Sequence, residues 1–465
     1  MKILAERDFT LADQSGFAAL SGDFNPLHMD ELAARRTVFG TPVVHGVHLV
    51  LWALESCLGT CREAMALESL SASFKGGTLV GDTVRVIALS DAPGLHLRIQ
   101  RGQTELVSIR GKLGPPVVYP ETLPGLEPVE CRAMDAADIP DAAGSLPLSY
   151  CAADASLIFP QLTAVLPPFQ LAALLATTRL VGMECPGLHS IYAAFDLSFD
   201  KQASGPPRLN YQVVHSRSGA LFMEVQGPGF LGELEAIVRP EPSRQATVGQ
   251  LAHLVQSGEF SGQQAIVIGG SRGLGEVAAK LLALGGAEVM ITYHRGKQDA
   301  EAIAVEIQAA GGKCGVAQFD SNRPVPIGLP QPPTHVYYFA TPHIAADKTV
   351  VFSGERFGEY CRHYVTNFVQ TLLALSQGVP KLDVLYPSTI FLDEPPAHMA
   401  EYCAAKAAGE ETCKQLVKRF PEWRMYSPRL PRLHTDQNNG LIPAELESPQ
   451  LVILRHLRAM KPNVA

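Results

Sequence analysis

The stretch QQAIVIGGSRGLGEVAAKLLALGGAEVMITYHRG, residues 263–296, decides the fold of the second half of the chain. It combines an apolar strand, a glycine-rich turn, an apolar helix and a second strand, an alternation typical of a doubly wound parallel sheet. The turn carries the spacing G-x-x-x-G-x-G, at Gly269, Gly273 and Gly275. Glycines in this position let the backbone approach a pyrophosphate at the helix N-terminus. We therefore predict an α/β Rossmann-like domain over residues 261–465, with a dinucleotide bound at the turn.

The composition is that of an ordinary globular protein and argues against several kinds of partner. A chain of 465 residues is too long for one hydrophobic core, and 46% apolar with 18% charged residues is far from a disordered composition. The net charge of −8 argues against nucleic acid or an anionic membrane as a partner. MKILAERDFT at the start has no apolar signal core, and no apolar run reaches the ~18 residues of a membrane span. The nine cysteines show no CxxC spacing, so we expect reduced thiols, no metal site and a cytoplasmic protein.

The first half of the chain shows the same order of elements twice. An apolar helical stretch, GVHLVLWALESCLG at 46–59 or FQLAALLATTRLVGM at 169–183, precedes several β-like runs. One long helix followed by antiparallel strands is typical of an α+β layer domain. Residues rich in proline, alanine and aspartate separate the two units. The predicted multidomain organisation has α+β units at 1–115 and 149–240, linkers at 116–148 and 241–260, and the α/β domain at 261–465.

The polar loop SGDFNPLHMDE, residues 21–31, holds two titratable side chains in a fixed relation. Pro26 fixes its own backbone and biases Asn25 away from the helical region. A histidine such as His28 exchanges protons near neutral pH, and a carboxylate such as Asp23 can orient the ring or a water molecule. From these residues alone, a proton-transfer pair and an Asx turn with a surface histidine are equally open.

The segment RRTVFGTPVVHGVHL, residues 35–49, places Gly46 at the start of the first apolar helix. The N–H groups at a helix N-terminus lack intrahelical partners and carry positive potential. Such a group can polarise a thioester carbonyl as an oxyanion-hole donor does. Gly46 is therefore a candidate oxyanion donor that complements Asp23 and His28.

The pattern D-x-N-P-[apolar]-H, followed by F-G-x-P-[apolar]-[apolar]-H-G and F-K with L-x-x-G-D-T, resembles the MaoC-type (R)-specific enoyl-thioester hydratase/dehydratase family over residues 8–113. The resemblance implies a hotdog fold and, with the second α+β unit, a double hotdog. It implies that Asp23 and His28 add or remove water across the 2,3-double bond while the Gly46 N–H holds the thioester oxygen. His45 belongs to the motif, but we expect it to be packed structure. The second unit lacks the motif and is expected to complete the acyl pocket without catalysing.

The glycine-rich turn and a later set of polar residues resemble the short-chain dehydrogenase/reductases. Tyr402 and Lys406 form the pattern Y-x-x-x-K within YCAAK, one helical turn apart, so both face the same side. The resemblance implies that Ser388, Tyr402 and Lys406 catalyse reduction and that Asn367 relays protons through water. Ile268 replaces the threonine that this family carries before the turn. The implied cofactor contacts are Gly269, Ser271, Arg272, Gly273, Leu274, Gly275, His294, Arg295, Asp320 and Lys406.

The residues around the turn favour NADP(H) as the cofactor. After the second strand stand His294 and Arg295, where an Asp or Glu would bond the ribose of NAD. Together with Arg272 they suit the 2′-phosphate of NADP. A lysine beside a phenol lowers the pKa of the phenol, so Lys406 is expected to make Tyr402 a usable acid at neutral pH.

The last third of the chain departs from the reductase family in three places. The strand HVYYFATPHI, residues 335–344, lacks the family's N-N-A-G turn. SNRPVPIGLPQPPT, residues 321–334, is too rich in proline for the usual crossover helix. SPRLPRLHTDQ, residues 427–437, stands where a proline–glycine stretch normally leads into the substrate lid. These departures leave open a degenerate reductase domain that is kept as a scaffold or oligomerisation module.

The two resemblances fit one metabolite. A ketoreductase converts a 3-oxoacyl thioester into a 3-hydroxyacyl thioester, and a dehydratase removes water to give the 2-enoyl thioester. We therefore predict a bifunctional enzyme of fatty-acid or polyketide biosynthesis that acts on acyl carrier protein or CoA thioesters and assembles as a homo-oligomer. The alternative is the reverse sequence, as in peroxisomal multifunctional β-oxidation enzymes, which place the dehydrogenase first.

Overall fold

The computed structural model divides the chain into two compact units, Met1–Glu241 and Pro242–Ala465. The described residues are 1–89, 94–119, 122–201, 205–323, 327–329, 331–344, 352–439 and 446–460. Parts of the predicted linker 116–148 and of the proline-rich segment 321–334 lie outside them. Among the described residues, no helix has the length and apolarity that crossing a membrane requires.

A ten-stranded antiparallel sheet forms the first unit. Its strands are β1 (Lys2–Asp8), β2 (Ala66–Phe74), β3 (Thr83–Ala88), β4 (Leu95–Arg101), β5 (Thr104–Gly114), β6 (Ala143–Pro147), β7 (Ser190–Phe199), β8 (Arg208–Arg217), β9 (Ala220–Gly227) and β10 (Phe230–Val238). They follow the order β1-β3-β4-β5-β2-β7-β10-β9-β8-β6. β2 and β7 pair across the middle, with Ser69 opposite Ser198 and Ser73 opposite Ala194. The two predicted halves therefore share one continuous sheet.

Two apolar helices fill the core of this unit. Its helices are α1 (Leu11–Ser21), α2 (Pro26–Met29), α3 (Glu31–Ala34), α4 (Gly46–Leu58), α5 (Ala152–Ile158), α6 (Pro160–Val165) and α7 (Pro168–Arg179), and a π-helical turn, Leu180–Glu184, continues α7. Every residue of α4 from Val47 to Leu54 is buried, as is every residue of α7 from Phe169 to Arg179. Helices that are apolar all round must be covered on all sides. One such helix against each half of the sheet is the double hotdog, which confirms the predicted fold.

The segment between the halves contributes a strand to the sheet. β6 lies within the predicted linker 116–148 and pairs with β8 at the sheet edge, Leu146 opposite Leu209. The other described residues of that segment have little regular structure, as expected from their prolines. The domain boundaries proposed from the sequence stay predictions.

The second unit is an α/β domain with a six-stranded parallel sheet. The unit has six strands in this sheet, β11 (Gln264–Ile268), β12 (Glu288–Tyr293), β13 (Lys313–Gln318), β14 (His335–Tyr338), β15 (Leu382–Leu385) and β17 (Trp423–Tyr426), and a separate two-stranded sheet of β16 (Ser388–Thr389) and β18 (Arg429–Leu430). Its helices are α8 (Val248–Leu251), α9 (Gly273–Leu284), α10 (Lys297–Ala309), α11 (Gly354–Cys361), α12 (Asn367–Leu375), α13 (Ala400–Arg419) and α14 (Pro449–Ala459). The order β13-β12-β11-β14-β15-β17 is that of a Rossmann sheet, which confirms the predicted α/β fold.

The connection from β13 to β14 contains no helix in its described residues, 319–323, 327–329 and 331–334. Proline lacks the N–H that a helix interior needs and clashes with the preceding turn. The helix that usually covers this part of a Rossmann sheet is therefore missing from the described part of the connection.

Candidate active sites

The segment that holds Asp23 and His28 runs from the end of α1 into α2. Its own residues set the end of α1 and the start of α2. Gly22 follows α1 with a φ of 77°, in the left-handed region that glycine adopts at low cost. Asn25 caps α2, because its side-chain oxygen accepts a hydrogen bond from the Leu27 N–H at 3.0 Å. The Asx-type turn of the sequence is thus present, and it places His28 on a short helix.

The structure brings the buried Asp23 together with the half-buried His28. Asp23 is only 1% exposed, and its charge interacts with that of His28. Burial raises the pKa of Asp23 and lowers the pKa of His28. The charge interaction between the two groups partly offsets both shifts, because it lowers the pKa of Asp23 and raises that of His28. Burial thus moves both groups toward the neutral form, which suits proton exchange with a substrate near neutral pH.

A hydrogen bond determines which ring nitrogen of His28 carries the proton. Nδ1 lies 2.6 Å from the carbonyl oxygen of Val43. Because a carbonyl oxygen only accepts, Nδ1 is the protonated nitrogen and Nε2 keeps a lone pair. His28 can therefore accept a proton at Nε2.

Helix α4 begins at Gly46, the predicted oxyanion donor. No described side chain caps this helix, so the N–H groups of its first turn lack the partners that a capped helix would have. A Cβ at Gly46 would lie 2.8 Å from the ring of Phe74 at the end of β2. Glycine thus allows the helix start to approach the sheet, and this geometry suits the role that the family resemblance implies.

His45 lies against the same pair, but both of its ring nitrogens face protein oxygens. Nδ1 is 2.9 Å from Gln14 Oε1, and Nε2 is 2.9 Å from the backbone oxygen of Asp23. The ring stacks on that of His28 with centroids 3.8 Å apart, and burial holds the pKa of His45 well below its usual range. These contacts agree with a packed, structural His45. Possible metal-ligand atoms of His45, His28 and Asp23 lie within 4.8 Å of one another.

The second hotdog half contributes directly to this site, which sequence reasoning missed. Thr178 Oγ1 donates to Asp23 Oδ2 at 2.7 Å. Asn25 Nδ2 donates to the carbonyl oxygen of Gly182 at 2.8 Å. No motif marks either residue of the second half. The available signal was their place on α7 and its continuation, the counterpart of the helix that carries Gly46.

The glycine-rich turn has the shape that a dinucleotide requires. A Cβ at Gly275 would lie 2.3 Å from the carbonyl oxygen of Gly269, so α9 packs directly on the turn. At Gly273 a Cβ would meet no described atom closer than Thr435 Cγ2 at 4.0 Å, so this backbone is open to a pyrophosphate. The turn follows β11, next to β14 in the strand order. That position is the topological switch point where doubly wound sheets bind ligands.

Carboxylates lie beside two of the residues predicted to contact a 2′-phosphate. Arg272 Nη1 is 3.2 Å from Asp436 Oδ2, and the buried Asp436 also accepts from the Ser243 N–H at 2.8 Å. His294 Nε2 is 3.8 Å from Asp320 Oδ2. A phosphate bound here would compete with Asp436 for the guanidinium group of Arg272.

The residues predicted to catalyse reduction converge at the C-terminal end of β15. α13 carries Tyr402 and Lys406 one turn apart, and both are buried. Lys406 Nζ donates to the carbonyl oxygen of Pro387 at 2.8 Å. The next residue, Ser388, donates its hydroxyl to Glu410 Oε1 at 2.6 Å.

The expectation that Lys406 lowers the pKa of Tyr402 is wrong. Burial raises the pKa of Tyr402 to about 12 and lowers the pKa of Lys406 to about 7. Lys406 Nζ lies 6.0 Å from the centre of the Tyr402 ring but 3.9 Å from that of Tyr364. Tyr402 therefore keeps its proton at neutral pH, and Lys406 is only partly charged there.

Asn367 begins α12 directly after a π-helical turn, Arg362–Thr366. Its Nδ2 donates to Asn322 Oδ1 at 3.0 Å. The preceding π-turn contains Tyr364, whose ring packs on Lys406. Asn367 thus directly follows an element that contacts the Tyr–Lys pair, and within the described part of the chain its side chain bonds Asn322.

Glu410 is a second residue that sequence reasoning missed. It accepts from Ser388 and, at 2.9 and 2.8 Å, from Nε and Nη2 of Arg429. A bidentate guanidinium contact fixes a carboxylate firmly, so Glu410 holds the Ser388 hydroxyl hydrogen. Its spacing of four residues from Lys406 places it on the same helix face, and this was the available signal.

Replacing Lys406 with methionine should stabilise the fold at low pH. Burial places the pKa of Lys406 at about 7, below its ordinary 10.5, so the charged lysine destabilises the folded state fully below pH 7. That cost falls as the pH rises from 7 toward 10.5. Lys406→Met should therefore melt above the wild type at pH 6, with a smaller difference at pH 9.5.

Lys414→Met on the same helix is the control for this measurement, because Lys414 is exposed and pairs with Glu411. Calorimetry at both pH values makes the comparison. An equal gain at pH 6 and pH 9.5 for Lys406→Met would contradict the assigned titration.

Fold and sites together define the class of the protein. It is a double hotdog in which a buried Asp23 lies beside a half-buried His28, followed by a Rossmann-like domain with a Y-x-x-x-K helix. Residues 2–108 match the family model of the MaoC like domain, and residues 263–325 match that of the short chain dehydrogenase family. The chain therefore contains a MaoC-like domain followed by a short-chain dehydrogenase domain, which confirms both resemblances.

Individual proteins resemble parts of the chain. It is 40% identical over 85 residues to the (R)-specific enoyl-CoA hydratase of Aeromonas caviae, a match that covers 18% of this chain and 63% of the hydratase. It is 49% identical over 58 residues to the short-chain dehydrogenase/reductase FrzI of Cladobotryum sp., covering 12% of this chain and 22% of FrzI. A solved short chain dehydrogenase from Burkholderia cenocepacia J2315 in complex with NADP aligns with a TM-score of 0.39 and 20% identity. The alignment covers 44% of this chain and 92% of the dehydrogenase. The two sequence matches thus span less than two thirds of each relative.

Proposed function

We propose that the chain is a bifunctional enzyme that reduces 3-oxoacyl thioesters with NADPH and dehydrates the resulting 3-hydroxyacyl thioesters. The observation that carries the proposal is the pair of buried Asp23 and half-buried His28 beside the helix start at Gly46. A relative named as an (R)-specific enoyl-CoA hydratase supports a thioester substrate. The glycine-rich turn and the Y-x-x-x-K helix support the reductase step.

The first site supplies the groups that dehydration needs. One proton leaves C2 of the 3-hydroxyacyl thioester, the C3–O bond breaks, and the departing hydroxyl group takes up a proton to become water. Asp23 and His28 Nε2 carry these proton transfers. The Gly46 N–H donates to the thioester oxygen, on which negative charge develops as C2 loses its proton. Hydration passes through the same groups in reverse.

The second site supplies an acid and a cofactor cradle for reduction. The turn from Gly269 to Gly275 fits a dinucleotide, and NADP(H) supplies the hydride when it is bound there. Tyr402 donates its phenol proton to the oxygen of the 3-oxo group, with Ser388 and Lys406 beside it. His294 and Arg295 directly follow β12 without an acidic residue, which favours the 2′-phosphate of NADP(H).

The biological setting follows from the cofactor and stays a proposal. Because the residues after β12 favour NADP(H), we infer the reductive direction, in fatty-acid or polyketide biosynthesis. Acyl carrier protein or CoA would deliver the acyl group to a homo-oligomer in the cytoplasm. The proposed catalytic residues are Asp23, His28, Gly46, Asn367, Ser388, Tyr402 and Lys406.

Product analysis tests both steps at once. The full chain is incubated with acetoacetyl-CoA and either NADPH or NADH, and the thioesters are identified by mass spectrometry. We expect 3-hydroxybutyryl-CoA and crotonyl-CoA, with kcat/KM about tenfold or more in favour of NADPH, as one charge-assisted hydrogen bond would give. A preference for NADH, or oxidation that far outpaces reduction, would instead favour the β-oxidation direction.

A further inference from the structure

Two adjacent threonines of α7 use their hydroxyl groups differently. Thr177 Oγ1 donates to the carbonyl oxygen of Leu174 at 2.7 Å, a bond within the helix that threonines commonly make. Thr178 Oγ1 instead donates to Asp23 Oδ2, also at 2.7 Å. Both threonines are buried. The hydroxyl of Thr178 therefore donates to a buried carboxylate, whose burial would cost more free energy without hydrogen-bond donors.

The end of the same helix is shaped to admit the Asp23 carboxylate. A Cβ at Gly182, in the π-helical turn, would lie 2.2 Å from Oδ1 and 2.6 Å from Oδ2 of Asp23. No side chain can occupy that position without displacing the carboxylate. The carbonyl oxygen of Gly182 also accepts from Asn25 Nδ2. The second hotdog half thus forms one wall of the site that holds Asp23.

We propose that Thr178 is a positioning residue of the hydratase site, so that the half without the motif sets the reactivity of Asp23. This inference rests on the proposed function of that site. A hydrogen bond to a carboxylate stabilises its charged form, and Thr178 thereby opposes the rise in the pKa of Asp23 that burial causes. Holding Oδ2 also fixes the rotation of the carboxylate toward its substrate.

Other titratable groups around Asp23 must stay unchanged for this effect to be visible. His28 comes from the same loop, His45 from the start of α4, and Cys131 from the segment between the halves. Burial holds the pKa of His45 well below its usual range and raises that of Cys131 to about 12. His28 is therefore the neighbour whose charge is coupled to that of Asp23.

Thr178→Val, which keeps the shape and removes the hydroxyl, tests the proposal. We expect kcat for crotonyl-CoA hydration to fall about tenfold with KM unchanged, and the acidic limb of the pH profile to move up by about one pH unit. Thr178→Ser should restore both, because serine keeps the donor. Thr177→Val, the matched control, should behave like the wild type. Equal activity and an unmoved pH profile in Thr178→Val would overturn the proposal.

An infrared titration separates this inference from the proposed function. The carboxyl band of Asp23 is obtained as the difference between the wild type and Asp23→Asn, each labelled with ¹³C-aspartate, and it needs no substrate. We expect the pKa of Asp23 to be higher in Thr178→Val than in the wild type and in Thr177→Val. If the wild type does not hydrate crotonyl-CoA, the proposed function fails while this titration still decides the role of Thr178. An unchanged pKa would refute that role.

Discussion

Replacing Asp23 with asparagine should slow crotonyl-CoA hydration about a thousandfold or more while the chain stays folded. Positioned acid–base groups contribute about a hundredfold to ten-thousandfold to such reactions, and asparagine cannot exchange a proton. The variant still offers an oxygen to the Thr178 hydroxyl, so the buried hydrogen bond can remain. Steady-state hydration and thermal melting at pH 7 measure the two parts of this expectation.

The sign of the stability change is set by burial. Because burial raises the pKa of Asp23, the charged carboxylate destabilises the fold once the pH exceeds its ordinary pKa of about 3.9. Asn carries no charge, so Asp23→Asn should melt no lower than the wild type at pH 7. A large loss of melting temperature would mean that lost folding, not lost chemistry, explains the loss of activity.

A matched control lies a few residues along the same chain segment. Asp30→Asn removes the same charge from an exposed helix cap whose oxygen accepts from Leu32 and Ala33, and asparagine caps helices equally well. This variant should hydrate like the wild type, whereas His28→Ala should lose activity as Asp23→Asn does. Full activity in both Asp23→Asn and His28→Ala would refute the assigned pair.

The hydratase site could be predicted from sequence where its parts are local. Asn25 and Pro26 shape the loop through their own backbone preferences, and Gly46 opens a helix whose residues are buried without interruption from Val47 to Leu54. These features depend on neighbouring residues, so a linear pattern contains them. The Asx turn and the Asp–His pair were posed as alternatives, but the structure shows both: Asn25 caps α2, and the buried Asp23 lies beside the half-buried His28.

The long-range parts of the site could not be read in this way. Thr178 reaches Asp23 across 155 positions of sequence, and nothing near Thr178 distinguishes it from Thr177. The requirement for glycine at Gly182 likewise depends on a carboxylate from the other half. Such contacts exist only because β2 pairs with β7 and brings the two helices into one core.

The reductase half shows the same limit in its electrostatics. The alternation of strand and helix predicted the parallel sheet, and the Y-x-x-x-K spacing predicted the helix face of Tyr402 and Lys406. The pKa of Lys406 depends on burial among aromatic rings, which the spacing does not report. The pairing of Arg272 with Asp436 joins residues 164 positions apart, so the counter-charge of Arg272 could not be read from the sequence around it.

Tyr402→Phe should slow acetoacetyl-CoA reduction by about a hundredfold or more and leave crotonyl-CoA hydration unchanged. Burial keeps Tyr402 protonated at neutral pH, so in the proposed reaction its phenol supplies the proton of the new alcohol. Phenylalanine keeps the ring and removes that proton. NADPH consumption and crotonyl-CoA hydration are measured on the same preparation. Asp23→Asn should give the reverse pattern, with reduction retained and hydration lost.

Tyr386→Phe is the control for the aromatic cluster. Its ring also lies near Lys406, 5.0 Å from Nζ, but its hydroxyl donates to the carbonyl oxygen of Tyr364. This variant should reduce acetoacetyl-CoA at close to the wild-type rate. A similar loss in Tyr386→Phe and Tyr402→Phe would show that packing of the cluster, not the Tyr402 proton, limits the reaction.

The same measurement decides whether the reductase domain is a scaffold. In the chain by itself, Lys406 bonds the carbonyl oxygen of Pro387, and Ser388 donates its hydrogen to Glu410. A scaffold would leave these groups engaged, and then neither the wild type nor Tyr402→Phe would oxidise NADPH although both hydrate crotonyl-CoA. A working reductase must instead present the Tyr402 proton to the substrate. Because Ser388 donates its hydroxyl hydrogen to Glu410, its oxygen can accept a hydrogen bond but cannot donate one to the substrate. The proposed reduction therefore depends on the proton of Tyr402.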